Sequence, residues 1–409
     1  MLSVKLPELL SPAGNFEKMR FALLYGADAV YLSGRRFGMR AAADNFSDEE
    51  LASACEYAHA LGKRVYVTVN VMPHSGELEE LRDYLSVLGE IKPDAVIVAD
   101  MGVLSLCRKL LPESVDLHIS TQGATVNYES CRVWHELGAK RVVLARELRL
   151  EEIAEIRAKT PSTLELEAFI HGAMCVSFSG RCLLSEYYTG RDANRGKCAQ
   201  PCRWIYNFAE EKRKDSPLTG EVHPEGTYIF GSKDMSLIEH IPELCNCGLD
   251  SLKIEGRMKS AYYAAVVTNC YRMALDSYAA DGEKYRFDER LLCELDSVSH
   301  REYCTGYYFD HPMNNPNLAS VPGYMGEKSF LATVEDYDSE SSFALCLQRN
   351  KLVSGVQAEL ISPGMVGRSF ILSDMRDENM EPIESAPHAK QKFYVKLPFT
   401  AKKGDIIRA

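Results

Sequence analysis

The chain has 409 residues, a hydrophobic fraction of 46% and a net charge of −11. That length exceeds one compact core and predicts two domains, while the acidic balance excludes broad nonspecific nucleic-acid binding and leaves room for a local basic pocket. No apolar run reaches the roughly 18 to 20 residues of a membrane span, and the first 16 residues lack the parts of a signal peptide, so the expected location is cytoplasmic with no membrane contact.

The first half alternates short apolar strands with helical patterns. Strands are expected at residues 8–11, 29–33, 64–71, 95–99, 116–120, 141–145 and 164–169, with helices at 16–25, 48–61, 76–88, 103–111, 128–137 and 150–159. An eighth strand at 251–255 precedes a long helix at 261–278. The turns Gly26–Asp28, Leu61–Lys63 and Leu137–Lys140 carry the glycines of helix C-caps. Eight such units without a GxGxxG phosphate loop predict a TIM-type (β/α)8 barrel rather than an open doubly wound sheet. Between the seventh and eighth strands lies an insertion, about residues 170–250. Two apolar runs in it, 203–208 and 227–232, predict a hairpin with a solvated tip at 210–226. Residues 311–327 are rich in Pro, Asn and Gly and read as a linker between domains at 1–310 and 328–409. Beyond it, short alternating strands near 330–334, 343–347, 358–361, 369–372 and 393–397 predict a small all-β barrel or sandwich.

Thirteen cysteines are unevenly placed. Cys55, Cys107, Cys131 and Cys270 sit in apolar helical patterns and read as small buried hydrophobes. Cys175, Cys182, Cys198 and Cys202 stand together in the insertion, spaced Cys-x6-Cys-x15-Cys-x3-Cys. Four thiolates suit tetrahedral zinc or an iron–sulfur cluster. Zinc knuckles favour tight pairs, which only Cys198 and Cys202 provide. Clusters accept wider gaps, and Arg181, Arg191, Arg195, Lys197 and Arg203 would offset the thiolate charge or, in the plainer reading, form a solvated basic face. The insertion begins at a strand C-terminal end, which is the catalytic face of a barrel. Glu8, Asn70, Asp100, Gln122, Glu167 and Glu255 are polar candidates at such ends.

The stretches Glu167–Cys175 (EAFIHGAMC) and Ser179–Ser185 (SGRCLLS) resemble the signature of the collagenase-like peptidase family, family 32 of the unassigned class. Supporting pieces are PELLSPAG from Pro7, GADAVY from Gly26, STQ from Ser120, SKDM from Ser232 and KIEGRMKS from Lys253. The resemblance spans almost the whole chain and implies, besides proteolysis, hydroxylation of nucleic acids. Among full-length members with a C-terminal β domain it implies prephenate-dependent 5-hydroxylation of the tRNA wobble uridine, with tRNA as substrate, prephenate as co-substrate and a shorter homologous subunit as a partner. It also implies a 4Fe–4S cluster on cysteines. Some relatives carry a further cysteine after the Lys-Asp of SKD. Here that region reads Met235-Ser236, so Cys202 is the expected fourth ligand.

Within these motifs Glu167, His171 and Glu255 are the catalytic candidates. Lys233, Lys253, Arg257 and Lys259 are candidates for an anion pocket, since arginine binds carboxylates bidentately, against a solvated surface as the plainer reading; Tyr31 and His171 could add hydrogen bonds, and Gln122 is a further substrate-binding candidate. Tyr187, Tyr188 and Trp204 flank the cysteines and are candidates for gripping a base, against local packing as the plainer reading. For proteolysis there is no HExxH helix and no GxSxG elbow. His171 lies four residues before Cys175 as a possible base, but no third, orienting group is in view. A noncatalytic RNA-binding or cluster-donating factor is a further class.

Overall fold

The computed structural model describes residues 6–41, 43–204, 209–210, 213–217, 232–309, 324–326 and 328–409. Seven parallel strands follow in order: β1 (Glu8–Pro12), β2 (Ala29–Leu32), β3 (Arg64–Val69), β4 (Ala95–Val98), β5 (Asp116–Ile119), β6 (Arg141–Val143) and β7 (Glu165–Ala173). Three short strands then intervene. β8 (Ala209–Glu210) and β9 (Arg213–Pro217) pair with each other, and β10 (Asp234–Ser236) runs antiparallel to the end of β7. β11 (Ser251–Ile254) pairs in parallel with both β7 and β1 and closes an eight-stranded barrel.

The intervening helices are α1 (Phe16–Leu24), α2 (Asp48–Ala60), α3 (Leu78–Ile91), α4 (Met101–Leu110), α5 (Tyr128–Glu136) and α6 (Leu150–Lys159). Their starts are written in the sequence. Asn15, Asp100 and Asn127 each accept a backbone N–H of the first turn, and Ser47 forms a capping box with Glu50. Alternate strand residues such as Leu9, Val30, Val67, Val98 and Leu252 face the helices and are wholly buried there. A short helix α7 (Leu184–Thr189) lies in the cysteine lobe. Helices α8 (Ile241–Asn246), α9 (Ala261–Asp281) and α10 (Arg290–Asp296), and strand β12 (Tyr303–Cys304) paired with β10, complete the domain. Among the described residues no helix is long and apolar enough to cross a membrane.

The C-terminal region holds β13 (Phe330–Tyr337), β14 (Phe343–Gln348), β15 (Leu352–Val353), β16 (Gln357–Ile361), β17 (Arg368–Ile371), β18 (Met375–Arg376), β19 (Ser385–Ala386), β20 (Lys392–Lys396) and β21 (Ile406–Arg408). The main sheet runs β17-β16-β21-β13-β14-β20-β18, and its two edges do not meet. It is an antiparallel half-barrel, the form that the expected small all-β domain takes. Arg408 fastens it to the first domain from a buried position. Its guanidinium meets Glu294 and Glu359 at 2.7 Å, Ser297 at 2.6 Å and Tyr262 at 3.1 Å.

Two expectations about the insertion change. β7 does not stop at Phe169, because pairing with β10 carries it on to Ala173. Part of the expected solvated tip is the β8–β9 pair. Most of the expected hairpin arms and of the linker lie outside the described residues.

Candidate functional site

Inside the barrel, side chains form two unlike levels. At the lower end Glu8, the first residue of β1, meets Arg141 at 2.7 Å, accepts from Tyr66 at 2.7 Å and from Ser251 at 3.0 Å, and pairs with Arg64. Arg141 also binds Glu165 at 2.6 Å and Glu167 at 2.9 Å. Glu167 takes its second cation from Lys253 at 2.7 Å. Glu8, Arg141, Glu167 and Lys253 are all buried, and every charge has a partner. Burial works to raise the pKa of Glu8, but Arg141 and Arg64 outweigh it and hold the carboxyl below its usual range.

At the upper level Tyr31, Thr68, Ile97, Phe169 and Lys253 form the floor of a cavity of about 590 Å³ that opens at the C-terminal ends of the strands. Asn70, Gln122 and Glu255 line its walls, and the lobe after β7 closes over it. Cys175, Cys182, Cys198 and Cys202 all line this one cavity. None is fully buried, whereas Cys55, Cys107, Cys131 and Cys270 are. Two of the four sulfurs accept backbone N–H groups from tight turns. Leu184 donates to Cys182 at 3.4 Å and Gln200 to Cys198 at 3.3 Å. Burial first, and the neighbouring Cys175, push the Cys202 thiol up to about 11. Among the described residues no group of three or more Cys, His, Asp and Glu side chains is placed to hold a metal ion.

The lobe is latched to the barrel on several sides. Glu147, after β6, accepts from the Ser179 N–H at 2.6 Å and its hydroxyl at 2.8 Å. Arg181 donates to the Gln122 carbonyl at 2.7 Å. Gly196 carries a φ of +82°, and a Cβ there would meet the Gly38 carbonyl oxygen at 2.6 Å, so only glycine lets the β2–α2 loop lie this close. The Ala41 N–H bonds the Gly196 carbonyl at 3.1 Å across that contact.

Cations share the cavity with the thiols, and Arg40 feels the charge of Cys175 and Cys198. Arg40, Arg146, Arg203, Lys253, Arg257 and Lys259 line the cavity, against the acids Glu147 and Glu255. Glu255 lies 3.8 Å from Arg40 and 3.6 Å from Arg146. Burial alone would raise its pKa, but Arg40, Arg146 and Arg257 outweigh that and keep it an ionised carboxylate. Gly172 makes this position possible: its φ is +102°, and a Cβ would strike the Glu255 carbonyl oxygen at 2.4 Å. The β7–β11 register shifts at this point, between Lys253 and Ile254.

Arg257 is buried, and its Nη1 has no hydrogen-bond partner. Burial and the nearby charge of Arg40 lower its pKa to about 10, so it stays cationic at neutral pH. The Gln122 Nε2 is also buried and unpartnered, although its Oε1 accepts from Asn70 at 3.0 Å. Such unpaired groups at a cavity wall are poised for a ligand rather than for stability.

The sequence candidates therefore separate. Tyr31, Gln122, Lys253, Glu255, Arg257, Lys259 and the four cysteines share the cavity. Glu167 lies beneath it, spent on Arg141 and Lys253. His171 does not line it either. The ring is buried against Tyr263, Tyr271 and Tyr303, and burial drives its pKa down to about 3. Lys233 is not among the lining residues. Glu8 starts its strand rather than ending it, and Asp100 is spent capping α4. Arg40 and Arg146 were missed. Arg146 stands just past a strand end, a positional signal, and its guanidinium lies 3.7 Å over the Phe169 ring. Arg40 sits in an irregular loop that carries no pattern.

Residues 14–317 match the model of peptidase family U32, and residues 327–408 match that of the U32 C-terminal domain. The chain belongs to peptidase family U32. A curated U32 relative is "tRNA hydroxylation protein P1" of Bacillus subtilis, 39% identical over 96% of this chain and 92% of its own length. Another is "tRNA hydroxylation protein P" of Escherichia coli, 36% identical over 93% of this chain and 91% of its own. The "23S rRNA 5-hydroxycytidine C2501 synthase" of Escherichia coli is 39% identical, over 66% of this chain and 39% of its own length. The U32 signature now has a physical reading. In EAFIHGAMC, Glu167 anchors the cavity-floor lysine, Phe169 supports Arg146, Gly172 admits Glu255, and Cys175 enters the cavity.

Proposed function

We propose that this U32 protein is an RNA-hydroxylating enzyme that acts on tRNA, and that the reaction is prephenate-dependent 5-hydroxylation of the wobble uridine. The observation that carries this reading is one cavity lined by four partly exposed thiols and six cations, one of them buried with an unpartnered Nη1. The near full-length relatives whose names specify tRNA hydroxylation support the reaction class.

Cys175, Cys182, Cys198 and Cys202 would hold a 4Fe–4S cluster. The donor set fits: four thiols, two already accepting N–H bonds, beside arginines that offset negative charge. When bound, the cluster supplies one-electron chemistry or a Lewis-acidic iron at the cavity wall.

The chain's own residues do the rest. Arg257 and Lys253 bind the carboxylates of prephenate, a dianion that suits a wall with surplus positive charge. Glu255, kept ionised by Arg40 and Arg146, accepts a hydrogen bond or proton from the substrate in the cavity. Gln122 offers its unpaired amide N–H to a nucleobase carbonyl. Glu167 acts through Lys253 and is a positioning residue. A shorter homologous subunit is a proposed partner. Proteolysis gains nothing from the geometry, because the buried His171 does not reach the cavity that Cys175 lines.

The decisive test is nucleoside mass spectrometry of tRNA from a deletion strain lacking any redundant homologue. Loss of 5-hydroxyuridine derivatives is expected, and unchanged levels would reject the reading. In parallel, anaerobically purified protein should contain iron and sulfide, and Cys202→Ser should lose both. A colourless protein with one zinc would overturn the cluster assignment alone.

A further inference from the structure

Among the described residues only six aromatic side chains are exposed: Phe178, Tyr187, Tyr188, Trp204, Phe309 and Tyr324. The first four belong to the cysteine lobe, and Tyr324 lines the cavity itself. Among the described residues, an acidic chain thus places four of six exposed rings on the lobe that carries the cavity's cysteines, and a fifth in the cavity lining. Tyr187 is 83% exposed on α7 and stands edge-on to Tyr188, with ring centroids 5.3 Å apart. Folding gains nothing from leaving such a ring in water.

The charge around these rings points to the occupant. Residues 175–204 carry five cations and two acids in a chain of net charge −11. Arg191 is exposed beside α7, its Nε bonded to the Lys197 carbonyl at 3.0 Å. Arg203 donates to the Tyr324 hydroxyl at 2.9 Å, and Lys259 sits 4.2 Å over the same ring. Rings interleaved with arginines and lysines match a polyanion whose bases are free to stack. An RNA duplex keeps its base faces stacked inside and offers these rings nothing. The cavity, at about 590 Å³, has room for a base taken out of its stack.

We propose that the aromatic rim of the cysteine lobe, centred on Tyr187, Tyr188 and Trp204, is the docking platform for an unpaired RNA loop. Bases flanking the target stack on these rings while the target base enters the cavity. Arg191 and Lys197 take the adjoining phosphates. This deepens the RNA reading above and rests on it.

The test uses full-length protein and two fluorescent RNAs, a stem-loop with an unpaired loop and a perfect duplex of similar length, followed by anisotropy. Wild type should bind the stem-loop well above the duplex. Tyr187→Ala/Tyr188→Ala should weaken stem-loop binding about tenfold or more, because each base–aromatic stack is worth about 1–3 kcal/mol. Tyr187→Phe should keep affinity, since the ring and not the hydroxyl is used. Arg191→Ala should lower the salt dependence by about one phosphate contact. Both tyrosines lie on the surface, so the melting temperature and iron content of the double variant should match wild type, which separates lost contact from lost structure. Unchanged stem-loop affinity in the double variant would overturn the platform and leave the rim to a protein partner. Equal binding of duplex and stem-loop would overturn the unpaired-loop assignment. Failure of wild type to bind either stem-loop or intact tRNA would instead remove the RNA reading itself.

Discussion

The two levels of the barrel interior solve opposite problems with the same residue types. Below, Glu8, Arg141, Glu165, Glu167 and Lys253 form a chain of ion pairs at 2.6–2.9 Å in which each charge is answered. Above, Arg257 keeps a buried Nη1 without a partner, Gln122 keeps a free amide nitrogen, and four cysteines line the cavity. A buried pair adds little net stability but is costly to break. An unpaired buried cation costs stability outright, and is worth retaining where a ligand completes it. Lys253 joins the levels, since it is held by Glu167 from beneath and presents its ammonium to the cavity, 4.4 Å from the Tyr31 ring.

The sharpest way to break this contrast is Glu167→Ala. Lys253 then loses its carboxylate and Arg141 loses one of three, so the substitution should destabilise by about 3–5 kcal/mol, read in urea or thermal unfolding. Replacing both partners, Glu167→Leu with Lys253→Met, should recover much of that loss while abolishing anion binding. An unchanged unfolding midpoint in Glu167→Ala would show that the lower network is not structural.

Arg257→Ala should behave in the opposite way. The guanidinium is buried with Nη1 unpartnered and only the neighbouring charge of Glu255 to answer it, so its removal should cost far less stability than Glu167→Ala. Prephenate affinity, measured by calorimetry, should fall about ten- to a hundredfold, the worth of a charge-assisted hydrogen bond of roughly 1.5–3 kcal/mol. A destabilised variant that binds prephenate normally would place Arg257 with the lower network instead.

The lower level was harder to read in the sequence than the upper one. Barrel strands announce themselves by apolar runs bounded by Gly-Ala-Asp and Leu-Gly turns, and the strand starts at Glu8, Ala29, Arg64, Ala95, Asp116, Arg141 and Ser251 agree with the expected ones. What periodicity cannot give is which end of a strand a polar residue serves. Glu8 opens β1 and Glu167 sits in the middle of β7, so both point inward far from the mouth, although their composition alone resembles that of Glu255. The end of β7 at Ala173 depends on β10, a partner some 60 residues away whose pairing no local pattern encodes. The inner strand β21, paired with both β13 and β16, is three residues, Ile406–Arg408, too short to show alternation. The cysteines were legible because their spacing needs no tertiary context. Arg40 was not, since only folding brings an irregular loop against Glu255.

The smallest expected effect probes the rim of the upper level. Lys259 lines the cavity beside Tyr263 and Tyr324 and donates to the Ser299 carbonyl at 2.7 Å. Burial disfavours its charged form and lowers its pKa to about 8. The sign follows directly: the ammonium is present below pH 8 and lost as pH rises through it, so it attracts an anion at pH 7 and no longer does at pH 9. A rim charge is worth about 0.2–1 kcal/mol, so prephenate affinity should fall a few-fold over that interval. The thiols share the cavity and also respond to alkali, so the informative quantity is the difference between variants across one pH series. Lys259→Met should be weaker at pH 7 and equal to wild type at pH 9, whereas Lys259→Arg, charged throughout, should lack the wild-type fall. If all three show the same pH profile, the titrating group lies elsewhere in the cavity, and Lys259 belongs with the paired charges below rather than with the groups held open above.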